Sequence, residues 1–178
     1  SGPNGLAAAI ALAEGGAKVC VLEARPTIGG GMRTEPVTLP GFQHDLCSAV
    51  HPMGVLSPYL RTLPLADYGL EWVYPGASVA HPLDDEPAVM LWRDLDRTCG
   101  QLGPDGDAYG RLVRPFLDNP HGLLGDLLGP FGWPKHPLKM LRFGLLAIRS
   151  ATGLAESRFN GQRAKALFAG CAGHAIMP

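Results

Sequence analysis

Two glycine-rich turns, SGPNG at the start of the chain and IGGGMR some 30 residues later, constrain this sequence most. Gly2 and Gly5 have the spacing of the second and third glycines of the motif G-x-G-x-x-G. Glu23 follows about 20 positions later, where that motif places an acidic residue. In the motif, one glycine lets the backbone approach a pyrophosphate and another lets a helix pack closely on a sheet. The spacing therefore predicts a dinucleotide-binding turn.

The residues between these turns predict one helix and one strand. Ala and Leu, both strong helix formers, dominate residues 4–14, and Gly15 and Gly16 follow as a helix end. The continuous apolar run of residues 18–22 predicts a buried parallel strand that contains Cys20. Glu23 would then accept hydrogen bonds from ribose hydroxyls and repel a 2′-phosphate, which favours FAD or NAD over NADP. Because the motif's first glycine and first strand are missing, we expect a fragment that folds poorly alone and does not bind FAD stably.

Composition limits the function classes. The chain has 178 residues, of which 46% are hydrophobic and 17% charged, so it can form a folded core in one domain and part of another. A net charge of −1 leaves no basic footprint for nucleic acid. The four cysteines have no paired spacing, which favours a reduced, cytoplasmic protein. The sequence does not predict an oligomeric state.

After the second turn the pattern changes to short strands and then mostly helices. We predict an α/β fold: a partial Rossmann-like FAD-binding domain at 1–60 and part of an α+β, largely helical substrate domain at 61–162. A segment at 163–178 would return toward the first domain. Asp94 is a predicted N-cap of a helix that ends near Cys99. The other predicted elements are strands at 71–74, 78–81 and 88–92, the last two paired as a hairpin, and helices at 55–63, 105–117, 123–128, 138–150 and 163–169.

The second turn is the more specific motif. Ile28–Thr34, the segment Gly41–Pro52 and the segment Ala166–Pro178 together resemble the amine oxidase and phytoene desaturase superfamily of flavoproteins. The similarity is greatest to phytoene dehydrogenase-like FAD-dependent oxidoreductases, truncated here at both ends. The resemblance implies hydride transfer to flavin from a small apolar substrate, carotenoid- or lipid-like, or its isomerisation. It leaves the catalytic residues unassigned, because we expect much of the enzyme to be missing from this sequence.

The resemblance also implies a cofactor role for each matching position. The first turn would lie against the FAD pyrophosphate, the acidic residue would hold the adenosine ribose, and the second turn would reach the pyrophosphate or ribityl chain. The predicted FAD-binding residues are Gly2, Pro3, Asn4, Gly5, Glu23, Ala24, Arg25, Gly30, Gly31, Met32 and Arg33. Two other functions stay open at this point: a flavin amine oxidase and a nucleotide-binding fragment without catalysis.

His44, Asp45, Cys47 and His51 are residue types that bind metals, but their spacing matches no zinc pattern. A loop near the flavin is the favoured interpretation, a structural loop comes next, and no metal site is predicted.

A basic amphipathic helix is predicted at 138–150, with Lys139, Arg142 and Arg149 beside an apolar face. Packing of that face on the core is the commoner arrangement, whereas peripheral membrane contact is the alternative. The tryptophans, Trp72, Trp92 and Trp133, are predicted in the core or in the wall of a substrate tunnel.

Overall fold

The structure is a computed structural model that describes residues 1–173. The chain divides into two compact units, Ser1–Tyr68 and Gly69–Pro178. The described helices are α1 (Pro3–Glu14), α2 (Pro52–Leu56), α3 (Leu95–Gly100), α4 (Gly106–Leu117), α5 (Pro120–Leu128), α6 (Pro137–Ala147), α7 (Ala151–Arg158) and α8 (Gln162–Ala172). The described strands are β1 (Thr34–Glu35), β2 (His44–Asp45), β3 (Ala77–His81) and β4 (Val89–Trp92).

The first unit contains α1, α2 and the β1–β2 pair. Helix α1 begins at Pro3, where a missing N–H group costs nothing, and ends at Gly15. Strands β1 and β2 are antiparallel, with Thr34 opposite Asp45. Short 3₁₀ turns cover Gly30–Met32, Leu60–Thr62 and Leu65–Tyr68. None of the residues in this unit is buried.

Two predictions for the first unit are wrong. Residues 18–22 are irregular and lie beside no described strand, so they lack the ladder that a strand requires, and Cys20 is exposed. The helix predicted at 55–63 is divided into α2 and the turn Leu60–Thr62. Pro58 is the physical reason, because it excludes helical backbone at Ser57, whose ψ is 126°.

In the described part of the second unit, a β-hairpin is followed by six α-helices and a 3₁₀ turn at Gly103–Asp105. Strands β3 and β4 are antiparallel, with His81 opposite Val89 and a bulge between Ala77 and Val79, which confirms the predicted hairpin. Helix α3 begins after Asp94, whose carboxylate accepts a hydrogen bond from the Arg97 N–H at 2.9 Å, as the sequence predicts.

Helices α3, α4, α7 and α8 and strand β4 enclose one hydrophobic core. Phe159 is its largest fully buried side chain, with ring contacts to Tyr109 at 6.1 Å and Phe168 at 5.9 Å between centroids. The core cluster consists of Val89, Leu102, Tyr109, Leu112, Ala155, Phe159, Ala164 and Leu167. Burial of these side chains, at about 1.5–3 kcal/mol for each large one, stabilises this unit.

Buried polar groups connect the elements of this unit. The Thr98 hydroxyl is fully buried and accepts a hydrogen bond from the Trp92 N–H at 3.0 Å, so it joins α3 to β4. The Asp105 carboxylate, 2% exposed, accepts hydrogen bonds from the N–H groups of Asn160 at 3.0 Å and Gly161 at 2.6 Å. Gly161 is the N-cap of α8, so Asp105 fixes where that helix begins.

Several predictions for the second unit are wrong. Residues 71–74 are irregular instead of forming a strand. The apolar face of α6 is exposed instead of packed on the core, and Trp133, predicted as core or tunnel wall, is 91% exposed. Helix α7 was not predicted, although Ser150 caps it by accepting a hydrogen bond from the Gly153 N–H at 3.1 Å.

The predicted division at residues 60 and 162 stays a prediction. Helix α8 packs on α7 and β4 within the second unit. Residues 174–178, which end the predicted return segment and the C-terminal resemblance, lie outside the described residues. Within residues 1–173, no helix is long and apolar enough to cross a membrane.

Candidate dinucleotide site

The N-terminus of α1 begins directly after the first glycine turn. Gly2 is the N-cap, with extended backbone and no side chain capping the helix. The first N–H groups of any helix lack partners within the helix, and they lie at the positive end of the helix dipole. Pro3, Asn4 and Gly5 form the first turn of α1. A negatively charged phosphate is therefore favoured at this end.

The Glu23 carboxylate lies close to the same turn. It accepts hydrogen bonds from the Ser1 hydroxyl at 2.5 Å and the Arg25 N–H at 2.9 Å. These donors, with the Ser1 hydroxyl first, lower the pKa of Glu23 from 4.5 to about 2. Glu23 is therefore ionised at neutral pH and can accept hydrogen bonds from hydroxyl groups.

The two glycine turns contact each other. A Cβ atom added to Gly30 would lie 2.8 Å from the Gly2 Cα atom, a distance that real Cβ contacts do not show. Gly29 and Gly30 have positive φ angles of 113° and 57°, which side-chain-bearing residues rarely adopt. The Gly29 N–H also donates a hydrogen bond to the Ser1 carbonyl at 3.2 Å. Glycine is thus required here by the approach of one backbone to the other.

Arg33 holds the second turn in place. Its Nε atom donates a hydrogen bond to the Gly30 carbonyl at 3.0 Å, and its Nη1 atom lies 3.3 Å from a Glu35 carboxylate oxygen. The Arg33 carbonyl accepts a hydrogen bond from the Leu46 N–H at 3.0 Å, which extends the β1–β2 pair. The second turn is therefore anchored to the small sheet through one arginine.

The structure thus forms two groups of predicted residues. Gly2, Gly30 and Arg33 lie together at the glycine turns, and Glu23 lies beside the Arg25 N–H. Ser1 bonds to both groups, through its hydroxyl to Glu23 and through its carbonyl to the Gly29 N–H. Sequence reasoning missed Ser1 as a donor and missed the contact between the turns. The presence of two glycine-rich turns around one helix was the available signal for that contact.

The remaining predicted residues are at the edges of this arrangement. Nothing lies within 4 Å of a Cβ atom built on Gly5, so the close helix packing expected there is absent. The Ala24 and Arg25 side chains are exposed, and Met32 is 43% exposed. A Cβ atom on Gly31 would lie 3.9 Å from the Cys47 Cβ atom, an ordinary contact. The assignment of these residues to a cofactor stays a prediction.

Three of the potential metal ligands, His44, Asp45 and His51, each contact a different hydroxyl group instead of one another. His44 Nε2 lies 2.5 Å from the Thr38 hydroxyl, and the Asp45 carboxylate accepts a hydrogen bond from the Thr34 hydroxyl at 2.6 Å. His51 Nδ1 lies 3.3 Å from the Ser48 hydroxyl. Within residues 1–173, no three acidic, histidine or cysteine side chains are arranged to hold a metal ion.

Two comparisons with known proteins involve this part of the chain. Residues 1–63 match the family model of the NAD(P)-binding Rossmann-like domain. The N-terminal part of the chain is therefore similar to Rossmann-like, NAD(P)-binding domains. Over 98 residues the chain is 33% identical to one of the subunits of limonene dehydrogenase from Castellaniella defragrans (strain DSM 12143 / CCUG 39792 / 65Phen). That alignment covers 55% of this chain and 18% of the relative, and no solved structure matches.

The two matches show similarity to an NAD(P)-binding domain and to a subunit of a dehydrogenase. The sequence prediction of a dinucleotide-binding segment is confirmed at that level. In this chain the segment supplies α1, the two turns and Glu23, whereas the parallel sheet that normally supports them is absent from the described residues.

Proposed function

We propose that this chain is the adenosine-diphosphate-binding part of an FAD-dependent oxidoreductase of the phytoene dehydrogenase-like type. The enzyme would remove a hydride from an apolar, carotenoid- or lipid-like substrate. The observation that carries the proposal is the arrangement of an ionised carboxylate and two touching glycine turns around the start of α1.

The residues present fit the adenosine diphosphate half of FAD. The Ser1 hydroxyl donates to Glu23 as a ribose hydroxyl would, so the carboxylate already accepts the chemical group that the cofactor offers. The ionised carboxylate disfavours the 2′-phosphate of NADP. The uncapped start of α1 suits the diphosphate.

Each group would have one task when FAD is bound. Glu23 would hold the ribose, the first turn of α1 would face the diphosphate, and the second turn would keep side chains away from it. Arg33 would fix the second turn through the Gly30 carbonyl. The flavin itself supplies hydride acceptance, and the protein supplies orientation and exclusion of water.

The curated relative supports an apolar substrate. Its name describes a dehydrogenase that acts on limonene, a hydrocarbon without an ionisable group. The substrate of this protein would be of the same class, with a C–H bond as the hydride donor.

The test uses the full-length gene product, purified and examined by absorbance for oxidised flavin. Under anaerobic conditions, a terpene or carotene hydrocarbon is expected to bleach the flavin spectrum, whereas a primary amine is not. Glu23→Gln should weaken FAD retention by about tenfold or more, because the charge-assisted hydrogen bonds to ribose are lost. Glu14→Gln, at the opposite end of α1, is the matched control. Absence of flavin, or bleaching by the amine alone, would refute the proposal.

A further inference from the structure

Helix α6 presents its apolar face to solvent. The exposed fractions are 82% for Leu138, 60% for Leu141, 58% for Leu145 and 80% for Ile148. Their spacing puts them on one side of the helix. Leu146, on another side, packs against the core cluster. The helix is therefore attached to the unit while its apolar stripe has no partner among the described residues.

The fold gathers arginines beside this stripe. Leu138, Leu141 and Leu145 line a groove of about 340 Å³ together with Arg111 from α4, Arg142 from α6 and Arg158 from α7. Among the described residues that line the groove, none is acidic. Arg142 Nη2 donates a hydrogen bond to the Arg111 carbonyl at 3.3 Å, which ties the two helices together. The groove thus combines an apolar floor with a positive rim.

The sequence on either side of α6 is also basic and apolar. From residue 127 to residue 155 there is no Asp or Glu, whereas Lys135, Lys139, Arg142 and Arg149 are present. Phe131 and Trp133, shortly before α6, are almost fully exposed. Asp126 anchors the loop that carries them by accepting hydrogen bonds from the N–H groups of Lys135 at 2.9 Å and His136 at 2.8 Å.

We propose that this surface, defined by Leu138, Leu141, Leu145 and Ile148 with Arg111, Arg142 and Arg158, docks on an anionic lipid bilayer. The leucines enter the boundary between headgroups and acyl chains, and the guanidinium groups pair with lipid phosphates. The positive charge of this surface favours an anionic bilayer over a second copy of the chain. A second copy packed symmetrically on this surface would bring basic groups against basic groups. The contact is peripheral, with α6 lying in the plane of the interface.

The experiment measures co-flotation of the full-length gene product with vesicles. Vesicles of about one-third phosphatidylglycerol in phosphatidylcholine are compared with pure phosphatidylcholine vesicles. We expect about tenfold stronger binding to the anionic vesicles, and loss of that difference when high salt shortens the screening length. Each basic residue contributes to the attraction, so Arg111→Glu with Arg158→Glu should reduce binding by about tenfold or more.

A second variant tests the apolar part. Leu141→Asp with Leu145→Asp should reduce binding at least as much, and because both side chains are mostly exposed, the circular dichroism spectrum should be unchanged. Val73→Asp, at a residue of the same unit that is 87% exposed, is the matched control and should bind like the parent. The proposal is overturned if both vesicle types bind equally, if neither binds, or if the leucine variant instead changes only the oligomeric state in sedimentation.

Discussion

A Cβ atom on Gly30 would lie 2.8 Å from the Cα atom of Gly2, so the two glycine turns of the N-terminal unit meet backbone to backbone. Two segments separated by α1 and an irregular stretch are thereby joined at one point. Because Ser1 also bonds to Glu23 and to the Gly29 N–H, the same point connects the carboxylate to both turns.

Replacing Gly30 by Ala should open this contact. The variant must hold an alanine at a φ of 57° and also relieve the overlap with Gly2, and the left-handed backbone alone costs about 1–2 kcal/mol. The Gly29 amide, which bonds to the Ser1 carbonyl, should then exchange with deuterium about tenfold faster or more. Gly31→Ala is the control, since its added Cβ atom makes only an ordinary contact at 3.9 Å. Equal exchange in both variants would contradict this role for the contact.

The carboxylate of Glu23 should titrate far below its usual range. Its pKa is lowered from 4.5 to about 2, chiefly by the Ser1 hydroxyl. A depressed pKa stabilises the folded form above pH 4.5, and that contribution disappears as the pH falls through about 2. NMR titration of the carboxyl carbon measures the midpoint.

Ser1→Ala should raise that midpoint toward 4.5, because it removes the main donor. Arg25→Ala should leave it in place, since the Arg25 donor is the backbone N–H. A midpoint that does not respond to Ser1→Ala would show that the hydroxyl is not the cause.

The sequence predicts elements well where the signal is local. The N-cap at Asp94, the β3–β4 hairpin and α4 follow from capping chemistry and from the turn before Pro87, and the structure confirms them. The strand prediction at 18–22 is wrong because an apolar run indicates only a tendency to be buried. A strand also needs a neighbouring strand with which its backbone can form hydrogen bonds. The predicted packing of the apolar face of α6 on the core is also wrong. Periodicity shows which residues share a helix face, but it does not show which other residues cover that face.

In the candidate site, too, the sequence predicts the local features but not the contacts between distant segments. Spacing selects Gly2 and Glu23 as candidates, and residues 1–63 match the model of the NAD(P)-binding Rossmann-like domain. The contact between the two turns depends on backbone angles at Gly29 and Gly30 that no spacing rule contains. The assignment of single residues to FAD therefore stays a prediction.

The Asp105 carboxylate should contribute strongly to the folding stability of the second unit. Its carboxylate is 2% exposed and accepts hydrogen bonds from the backbone of Asn160 and Gly161 at the start of α8. Asp105→Ala leaves these N–H groups without their acceptor and should lower the free energy of unfolding by about 2–4 kcal/mol. Urea unfolding followed by tryptophan fluorescence measures the loss. Asp118→Ala, at an exposed residue after α4, should change it by less than about 0.5 kcal/mol.

The last prediction compares two helices of equal length. Both α1 and α4 have 12 residues, but α1 buries none of its side chains, whereas α4 buries four residues, Gly106, Tyr109, Gly110 and Leu112. A 12-residue helix is marginal by its own propensity, and Pro115 makes α4 the weaker helix intrinsically. Burial should reverse that order.

Hydrogen exchange of the 178-residue chain measures the difference. Burial of Tyr109 and Leu112 contributes about 1.5–3 kcal/mol each, so the amides of α4 should exchange roughly 10² to 10⁴ times more slowly than those of α1. Added FAD should leave the exchange of α1 unchanged, because the described residues provide no parallel sheet beneath it to hold the cofactor site together. Equal protection of the two helices, or strong protection of α1 by FAD, would show that the first unit folds and binds by itself.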